Sequence, residues 1–276
     1  MSYQQPELSA NISITPGEFA LFQRLIFDLA GINLSDAKKV LLVGRLSKRL
    51  KHFGFNNFHD YYRHVTGPRE GGELQVMVDL LTTNETYFFR EPKHFEFLEG
   101  LLRARAASGT AFRVWSAASS SGEEAYSIAM VLGDVLGQSP WEVVGSDIST
   151  QVLTKAQRGL YPMERAEGIP QRLLKKYCLK GMGEHEGYLL VDPALRQRVS
   201  FQQSNLLSPA PGLGKFDVIF LRNVMIYFDN DTKRRVIANL LPFLKPDGHF
   251  IVGHSETLNG LTHELVSLRP TIYRRH

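Results

Sequence analysis

After Gly109 the apolar residues change their rhythm, and that change limits the fold more than any single motif does. Before it they recur at three and four residues: Phe19, Phe22, Ile26 and Leu29 in one run, Leu42, Leu46 and Leu50 in the next. That is the spacing of helices with one buried face. After it, short unbroken apolar runs alternate with helical stretches, the pattern of a parallel sheet covered by helices. The chain therefore reads as a small all-helical domain followed by an α/β domain.

Local signals set the expected boundaries. Thr15-Pro16-Gly17-Glu18 opens a first helix that Gly31 stops, and Ser35-Asp36 opens a second that runs to His52 before Gly54, by the usual start and stop chemistry. Two shorter helices are predicted over Phe58 to Val65 and Leu74 to Leu81, and a connecting helix over Glu91 to Arg105 with Pro92 in its first turn. Strands are predicted at Phe112 to Trp115, Trp141 to Gly145, Val199 to Gln203, Phe216 to Leu221 and Phe250 to Val252. Leu265 to Leu268 and Thr271 to Tyr273 read as a closing antiparallel pair. The glycine-rich stretch 160–198 breaks the alternation and reads as an inserted module, with a short strand near Tyr188 to Val191. The expected organisation is a helical domain over 1–90, beginning with a polar tail over 1–12, a linker helix over 91–110, and an α/β domain over 111–276.

Composition excludes several classes. With 276 residues, 43% of them hydrophobic, the chain is long enough for a sizeable core. It has no stretch of ~20 apolar residues to span a bilayer, and its start lacks the features of a secretory signal. The single cysteine, Cys178, leaves no disulfide framework and no multi-cysteine metal site. No metal and no membrane insertion are expected, and the location is read as cytoplasmic. The net charge is only +4 (32 Lys and Arg against 28 Asp and Glu), but it is unevenly placed. Between Asp36 and Asp60 stand Lys38, Lys39, Arg45, Lys48, Arg49 and Lys51 with no acid among them. Such a face is either a solvated surface or a docking site for an acidic partner.

The first strand–turn–helix runs Val114-Trp115-Ser116-Ala117-Ala118-Ser119-Ser120-Ser121-Gly122-Glu123-Glu124. It lacks the G-x-G-x-x-G of a dinucleotide-binding turn, and two carboxylates at a helix start repel phosphate. They suit a cofactor with a positively charged amino group, and S-adenosylmethionine, with an ammonium, a sulfonium and no phosphate, is such a cofactor. The competing reading is a capping box, Ser121 to Glu124, that only satisfies helix N–H groups. Asp147, at the end of the second strand, reads either as an acceptor for ribose hydroxyls or as a helix cap. Asn205, followed by Leu206, reads either as an amide for the adenine edge or as a turn residue. Arg222, beside Asn223 at the end of an apolar run, is costly to bury without a partner.

Four segments carry a resemblance. Leu81-Thr82-Thr83-Asn84-Glu85-Thr86-Tyr87-Phe88-Phe89-Arg90-Glu91, then Trp115-Ser116-Ala117-Ala118 with Gly122-Glu123-Glu124, then Phe220-Leu221-Arg222-Asn223-Val224-Met225-Ile226-Tyr227-Phe228, and Leu244-Lys245-Pro246-Asp247-Gly248 with Gly253-His254-Ser255-Glu256 closely resemble the chemotaxis receptor methyltransferases, of CheR type. The similarity runs in the same order along nearly the whole chain. It implies a doubly wound S-adenosylmethionine-dependent methyltransferase sheet with a small all-helical N-terminal domain and an inserted small β-subdomain. By matching position it implies cofactor contacts from Asn84, Thr86, Arg90, Glu124, Asp147, Asn205, Leu206, Arg222 and Asn223, with Tyr227 beside the reacting methyl. In the first loop Ser119, Ser121 and Ala125 stand where the family commonly has cysteine, threonine and proline.

The activity so implied is methyl transfer to glutamate side chains of chemoreceptors, with S-adenosylhomocysteine as product. A glutamate of pKa about 4.3 is already ionised at pH 7, so no general base is needed and Arg90 and Tyr227 become the candidate catalytic residues. The substrates implied are long acidic helical bundles in the receptor cytoplasmic region. Arg45, Lys48 and Arg49, with Lys51 at the margin, share one helix face and form the expected docking surface. The inserted module resembles a subdomain that in some family members holds a receptor C-terminal pentapeptide by strand addition. A nicotinamide oxidoreductase is opposed by the missing glycine motif. A nucleic-acid methyltransferase is opposed by the confinement of basic residues to one helix. A module that only senses the cofactor is the third rival.

Overall fold

The structure, a computed structural model, describes residues 12–68, 71–105, 110–209 and 211–276. The tail expected over 1–12 lies almost wholly outside them. The chain separates into two compact units, Met1–Thr82 and Thr83–His276, so the segment 83–90, expected to close the helical domain, belongs to the second unit.

The first unit is helical. Helix α1 (Pro16–Ala30) starts with a true capping box, in which Thr15 and Glu18 satisfy each other's backbone N–H groups. A 3-10 turn (Asp36–Lys38) precedes α2 (Lys39–Phe53), and α3 (Phe58–Val65) and α4 (Glu73–Leu81) follow. Leu42, Leu46 and Leu50, four residues apart on α2, are fully buried, as are Phe22, Ile26, Phe58 and Tyr61. Each such side chain contributes about 1.5–3 kcal/mol by burial. One polar cluster interrupts this core. Buried Glu73 accepts from Arg49 Nε at 2.7 Å and from Tyr61 Oη at 2.8 Å. Burial opposes the Glu73 charge, but Arg49 and Tyr61 together hold the carboxyl below its ordinary value.

The second unit opens with α5 (Lys93–Arg105), then β1 (Phe112–Ala117), α6 (Glu123–Leu136), β2 (Trp141–Asp147) and α7 (Thr150–Arg158). The inserted module holds β3 (Leu160–Pro162), α8 (Gln171–Tyr177), β4 (Cys178–Lys180), β5 (Tyr188–Val191) and the short α9 (Pro193–Arg196). Then come β6 (Val199–Gln203), β7 (Phe216–Leu221), α10 (Asn230–Leu240), β8 (Leu244–Val252), β9 (Leu265–Arg269) and β10 (Ile272–Arg275). The main sheet has the order β6-β2-β1-β7-β8-β10-β9, and the module forms its own antiparallel sheet, β3-β5-β4. Strands β6, β2, β1, β7 and β8 run parallel, and β10 and β9 are antiparallel.

Parallel strands covered on both faces need continuous apolar runs, and β7 is buried at all six positions. On β1 Trp115 is fully buried and packs on Phe216 and Phe243. The sheet departs from the sequence reading at Lys245-Pro246-Asp247-Gly248, expected as a turn before the last parallel strand. These residues lie within β8, whose pairing with β7 slips in register there while Asp247 takes a left-handed φ of 59°. The apolar signal at Phe250 to Val252 marked only the regular half of the strand.

From β1 the chain builds outward to β2 and β6, and it then returns to the other side of β1 with β7 and β8. The order thus reverses between β1 and β7, and in such sheets the crevice at the carboxyl ends of the strands there receives ligands. No helix among the described residues is long and apolar enough to cross a membrane.

Replacing Arg49 by Met keeps the stem but strands the buried Glu73 carboxylate. With the guanidinium side chain 26% exposed, the loss is expected to be about 2 kcal/mol, below the 3–5 of a fully buried pair. Urea unfolding followed by circular dichroism reads it at pH 7. Because Glu73 sits below its unfolded pKa, the loss is full above that value and shrinks as pH falls through the folded one.

Candidate active site

The crevice between β1 and β7 is built around one buried guanidinium. Arg222, which follows β7 directly, has a side chain 1% exposed. Its Nη1 donates to Glu124 Oε2 at 2.8 Å, and its Nη2 donates to Glu91 Oε2 at 2.9 Å and to the Arg90 carbonyl. The cost of burying this cation is offset by two carboxylates from different parts of the chain. Glu124 lies in the first turn of α6, and its other oxygen accepts from Ser116 Oγ at 2.7 Å. The residue at the helix cap is Gly122, with φ 97° and no side-chain cap bond. The capping-box reading of Ser121 to Glu124 therefore fails, because Glu124 faces the strand ends and not its own helix N-terminus.

Glu91 is a second hub. Besides Arg222 it accepts from Asn223 Nδ2 and from the His254 backbone N–H, each at 3.2 Å. Burial works against its charge, but Arg222 prevails and brings the carboxyl down to about 2. Buried His94 is 3.4 Å from the same oxygen, and burial, with Arg222 near, lowers its pKa to about 4. Glu91, His94 and His254 bring ligand-type atoms within 4.8 Å of one another. The carboxylate oxygen nearest both rings is the one that Arg222 already occupies, and a guanidinium there repels a metal cation.

Two further carboxylates fix the loops. Asp147, at the end of β2, accepts from the backbone N–H of Ser120 at 2.9 Å and of Ser149 at 3.0 Å. It ties the loop after β1 to the loop after β2, while the cap position of α7 is held by Ser149. Glu256 accepts from the backbone N–H groups of Asn223, Met225 and Gly253 at 2.7–2.8 Å. Burial raises its pKa, and it fastens the loop after β7 to the loop after β8. A Cβ on Gly253 would come within 2.5 Å of Asn223 Nδ2 and 2.9 Å of Glu256 Oε2, so a side chain there would push these two polar groups out of place.

The loops these contacts hold are strained. Phe89, Glu91, Ala118, Ser120 and Asn223 all take left-handed conformations, with φ between 48° and 68°. Each such non-glycine residue costs of order 1 kcal/mol, and such residues concentrate where ligands are clamped.

Each expected site residue has a definite place. Asn84 gives its carbonyl to Ser120 Oγ at 3.0 Å, and the Thr86 carbonyl accepts from Arg165 at 2.7 Å. Arg90 is half-buried, donates to the Glu85 carbonyl at 3.0 Å and lies over the Tyr87 ring. Asn205 acts locally: its Oδ1 accepts from Leu207 N–H at 2.9 Å, which is the turn reading, while the Leu206 carbonyl accepts from Asn239. Tyr227 is half-buried at the end of the 3-10 turn Met225–Tyr227. The sequence reading gave no part to Glu91, Ser116, Ser120 or Glu256. Glu91, Ser116 and Glu256 stood inside the quoted segments, but nothing local marks Glu91 as a partner of Arg222, 131 residues on, or Glu256 as a partner of Asn223 and Met225, more than thirty residues before it.

The donor set suits S-adenosylmethionine. The acidic start of α6 disfavours phosphate and suits an ammonium. The hydroxyls of Ser119, Ser149 and Ser204 are buried with no hydrogen-bond partner among the described residues. They sit on the loops after β1, β2 and β6, where a nucleoside would meet them.

The expected docking face is divided by the structure. Lys48 and Lys51 are exposed. Arg49 is paired internally with Glu73, and Arg45 Nη1 donates to the Thr82 carbonyl at 2.9 Å. Two of the four cations thus hold the helical unit together.

Comparison with known proteins agrees with this layout. The family description "CheR methyltransferase, all-alpha domain" matches residues 17–82, and "CheR methyltransferase, SAM binding domain" matches 84–273. The chain is 40% identical over 270 residues to the chemotaxis protein methyltransferase of Escherichia coli K12, covering 97% of this chain and 93% of that protein. It is 42% identical over 262 residues to chemotaxis protein methyltransferase 2 of Pseudomonas aeruginosa, covering 94% and 93%. With the corresponding protein of Borreliella burgdorferi the identity is 36% over the full length of both.

Because Arg222 holds Glu91 at about 2, the pair adds stability above the unfolded carboxylate pKa that is lost as pH falls toward 2. Arg222→Met is expected to lower stability at pH 7 by up to about 3 kcal/mol. Thermal melts at pH 7 and pH 3 are expected to show the gap to the wild type narrowing in acid.

Proposed function

The chain belongs to the CheR methyltransferase family, and on that premise we propose that it methylates glutamate side chains in the cytoplasmic helical bundle of chemoreceptors. The observation that carries this reading is the acidic start of α6, with Glu124 held by Arg222 at the switch point of the sheet. When bound there, S-adenosylmethionine supplies a sulfonium methyl that passes in line to a carboxylate oxygen, leaving S-adenosylhomocysteine and a methyl ester.

The chain's own residues then have separable tasks. Glu124 takes the cofactor ammonium and Asp147 the ribose hydroxyls. Asn205, Leu206, Arg222 and Asn223 line the adenine and ribose end, and Asn84 and Thr86 complete the site from the segment before α5. Arg90 orients the incoming glutamate by a charge-assisted hydrogen bond. Tyr227 limits the angle of approach to the methyl. The acceptor is already ionised at neutral pH, so the residues need to align it and not to deprotonate it. That agrees with a site rich in arginine and carboxylate. Lys48 and Lys51 on α2 meet the acidic receptor helices, and the β-subdomain is the place for a receptor C-terminal pentapeptide in receptors that carry one.

Arg90→Ala and Tyr227→Phe are each expected to cut turnover more than tenfold, measured as tritiated methyl transferred to receptor-containing membranes. The label is expected to be released by mild base, since an ester is hydrolysed and a methylated amine is not. Near-normal turnover in either variant removes that residue from the mechanism. Lys48→Glu is expected to raise KM for receptor severalfold with cofactor affinity unchanged, and equal KM values exclude docking on α2.

A further inference from the structure

Between α4 and α5 the chain has no helix or strand, yet this stretch carries Asn84, Thr86 and Arg90, proposed above to complete the cofactor site. An irregular segment has no hydrogen-bond ladder of its own, and ordering it costs conformational entropy at every residue. Phe89 and Glu91 are in addition held at left-handed φ of 54° and 59°. The shape of the segment must therefore be imposed by its neighbours. Helix α6 and the loop before it grip one side. Phe89 N–H donates to Ser127 Oγ at 2.9 Å, and Ser120 Oγ donates to the Asn84 carbonyl at 3.0 Å.

The other grip comes from the inserted module. Its 3-10 turn Met163–Gly168 follows β3 and is anchored beside β5, because Met163 N–H donates to the Gly187 carbonyl at 2.8 Å. From this turn Arg165 Nη1 donates to the Thr86 carbonyl at 2.7 Å and to Glu123 Oε1 at 3.2 Å. Glu123 begins α6 next to Glu124, and its side chain is 1% exposed. At the end of the turn the Gly168 backbone lies against Phe88, where a Cβ would stand 2.1 Å from the carbonyl oxygen. The rings of Phe88 and Tyr161 pack edge to face with centroids 5.0 Å apart. Tyr161 Oη also donates to the Ser121 carbonyl at 2.7 Å.

We infer that the inserted module has a task besides any receptor tail it holds: it fixes the segment 84–90 against α6, with Arg165 as a positioning residue for the cofactor site. That role rests on the reading of the crevice as the S-adenosylmethionine site. One guanidinium reaches both the segment, at Thr86, and the start of α6, at Glu123, and so sets the distance between them. Without it the segment is ordered only as the ligand binds, and that cost is subtracted from the affinity. A purely structural role is separable from this one. Arg165→Met also strands the buried Glu123 carboxylate without its ion-pair partner. Adding Glu123→Gln removes that penalty but leaves the Thr86 carbonyl unheld.

The test is isothermal titration of the full chain with S-adenosylhomocysteine, alongside thermal melts. Arg165→Met is expected to raise Kd about tenfold through the lost pre-ordering, with KM for receptor-containing membranes unchanged at saturating S-adenosylmethionine. Arg165→Met combined with Glu123→Gln is expected to recover the melting temperature and to keep the weak Kd. The double variant also supplies the measurement if Arg165→Met folds poorly. Gly168→Ala, with Arg165 intact, is expected to weaken binding severalfold by displacing the Phe88 carbonyl. A Kd that returns to the wild-type value together with the melting temperature overturns the inference, and so does a wild-type Kd in Gly168→Ala. A change confined to the receptor KM overturns it as well and leaves the module as a receptor site alone. A wild-type chain that bound neither S-adenosylmethionine nor S-adenosylhomocysteine would instead remove the reading of the crevice itself.

Discussion

A guanidinium with almost no exposure to water needs acceptors from the protein, and both terminal nitrogens of Arg222 find them while its Nε has no hydrogen-bond partner among the described residues. To meet that condition, the start of α6 presents Glu124, the segment before α5 presents Glu91 and a carbonyl, and the end of β7 turns sharply into Asn223. Each of these is also part of the crevice. The burial of one charge therefore decides where the functional side chains stand, and a site arranged in this way is ordered before any ligand arrives.

The same condition explains why strain gathers here. Left-handed conformations at Phe89, Glu91, Ala118, Ser120 and Asn223 are affordable because Asp147 and Glu256 clamp the loops through backbone N–H groups. Carboxylates serve in two ways in this unit. Asp147 and Glu256 bind backbone and fix loop shape, whereas Glu91 and Glu124 bind a cation and fix the charge. A helical unit precedes them with its own version of the second kind, where Arg49, Tyr61 and Glu73 close a polar cluster inside an apolar core.

Much of the architecture was legible beforehand because it depends on local periodicity. The bounds of α3 and the runs of β6 and β7 match the expected ones, and the closing pair β9 and β10 is antiparallel as the pattern implied. The slip in β8 was not legible, since Pro246 and Gly248 signal a turn whether or not a neighbouring strand captures them. The basic face of α2 was legible as charge but not as function. Nothing near Arg49 in sequence foretells Glu73, which lies one helix and two turns later.

By itself the sequence determined the two-part architecture, the acidic helix start that disfavours phosphate, and the family to which the chain is similar, because these rest on periodicity, on adjacent residues and on motif order. The tertiary structure alone decided the charge state and the coupling of the site. Whether Glu124 caps a helix or faces a cation, whether Arg49 meets solvent or a buried acid, and why Glu91 matters at all depend on pairs 24 to 132 residues apart. Electrostatic energy follows distance and burial, and neither can be read until the strands have set those residues side by side.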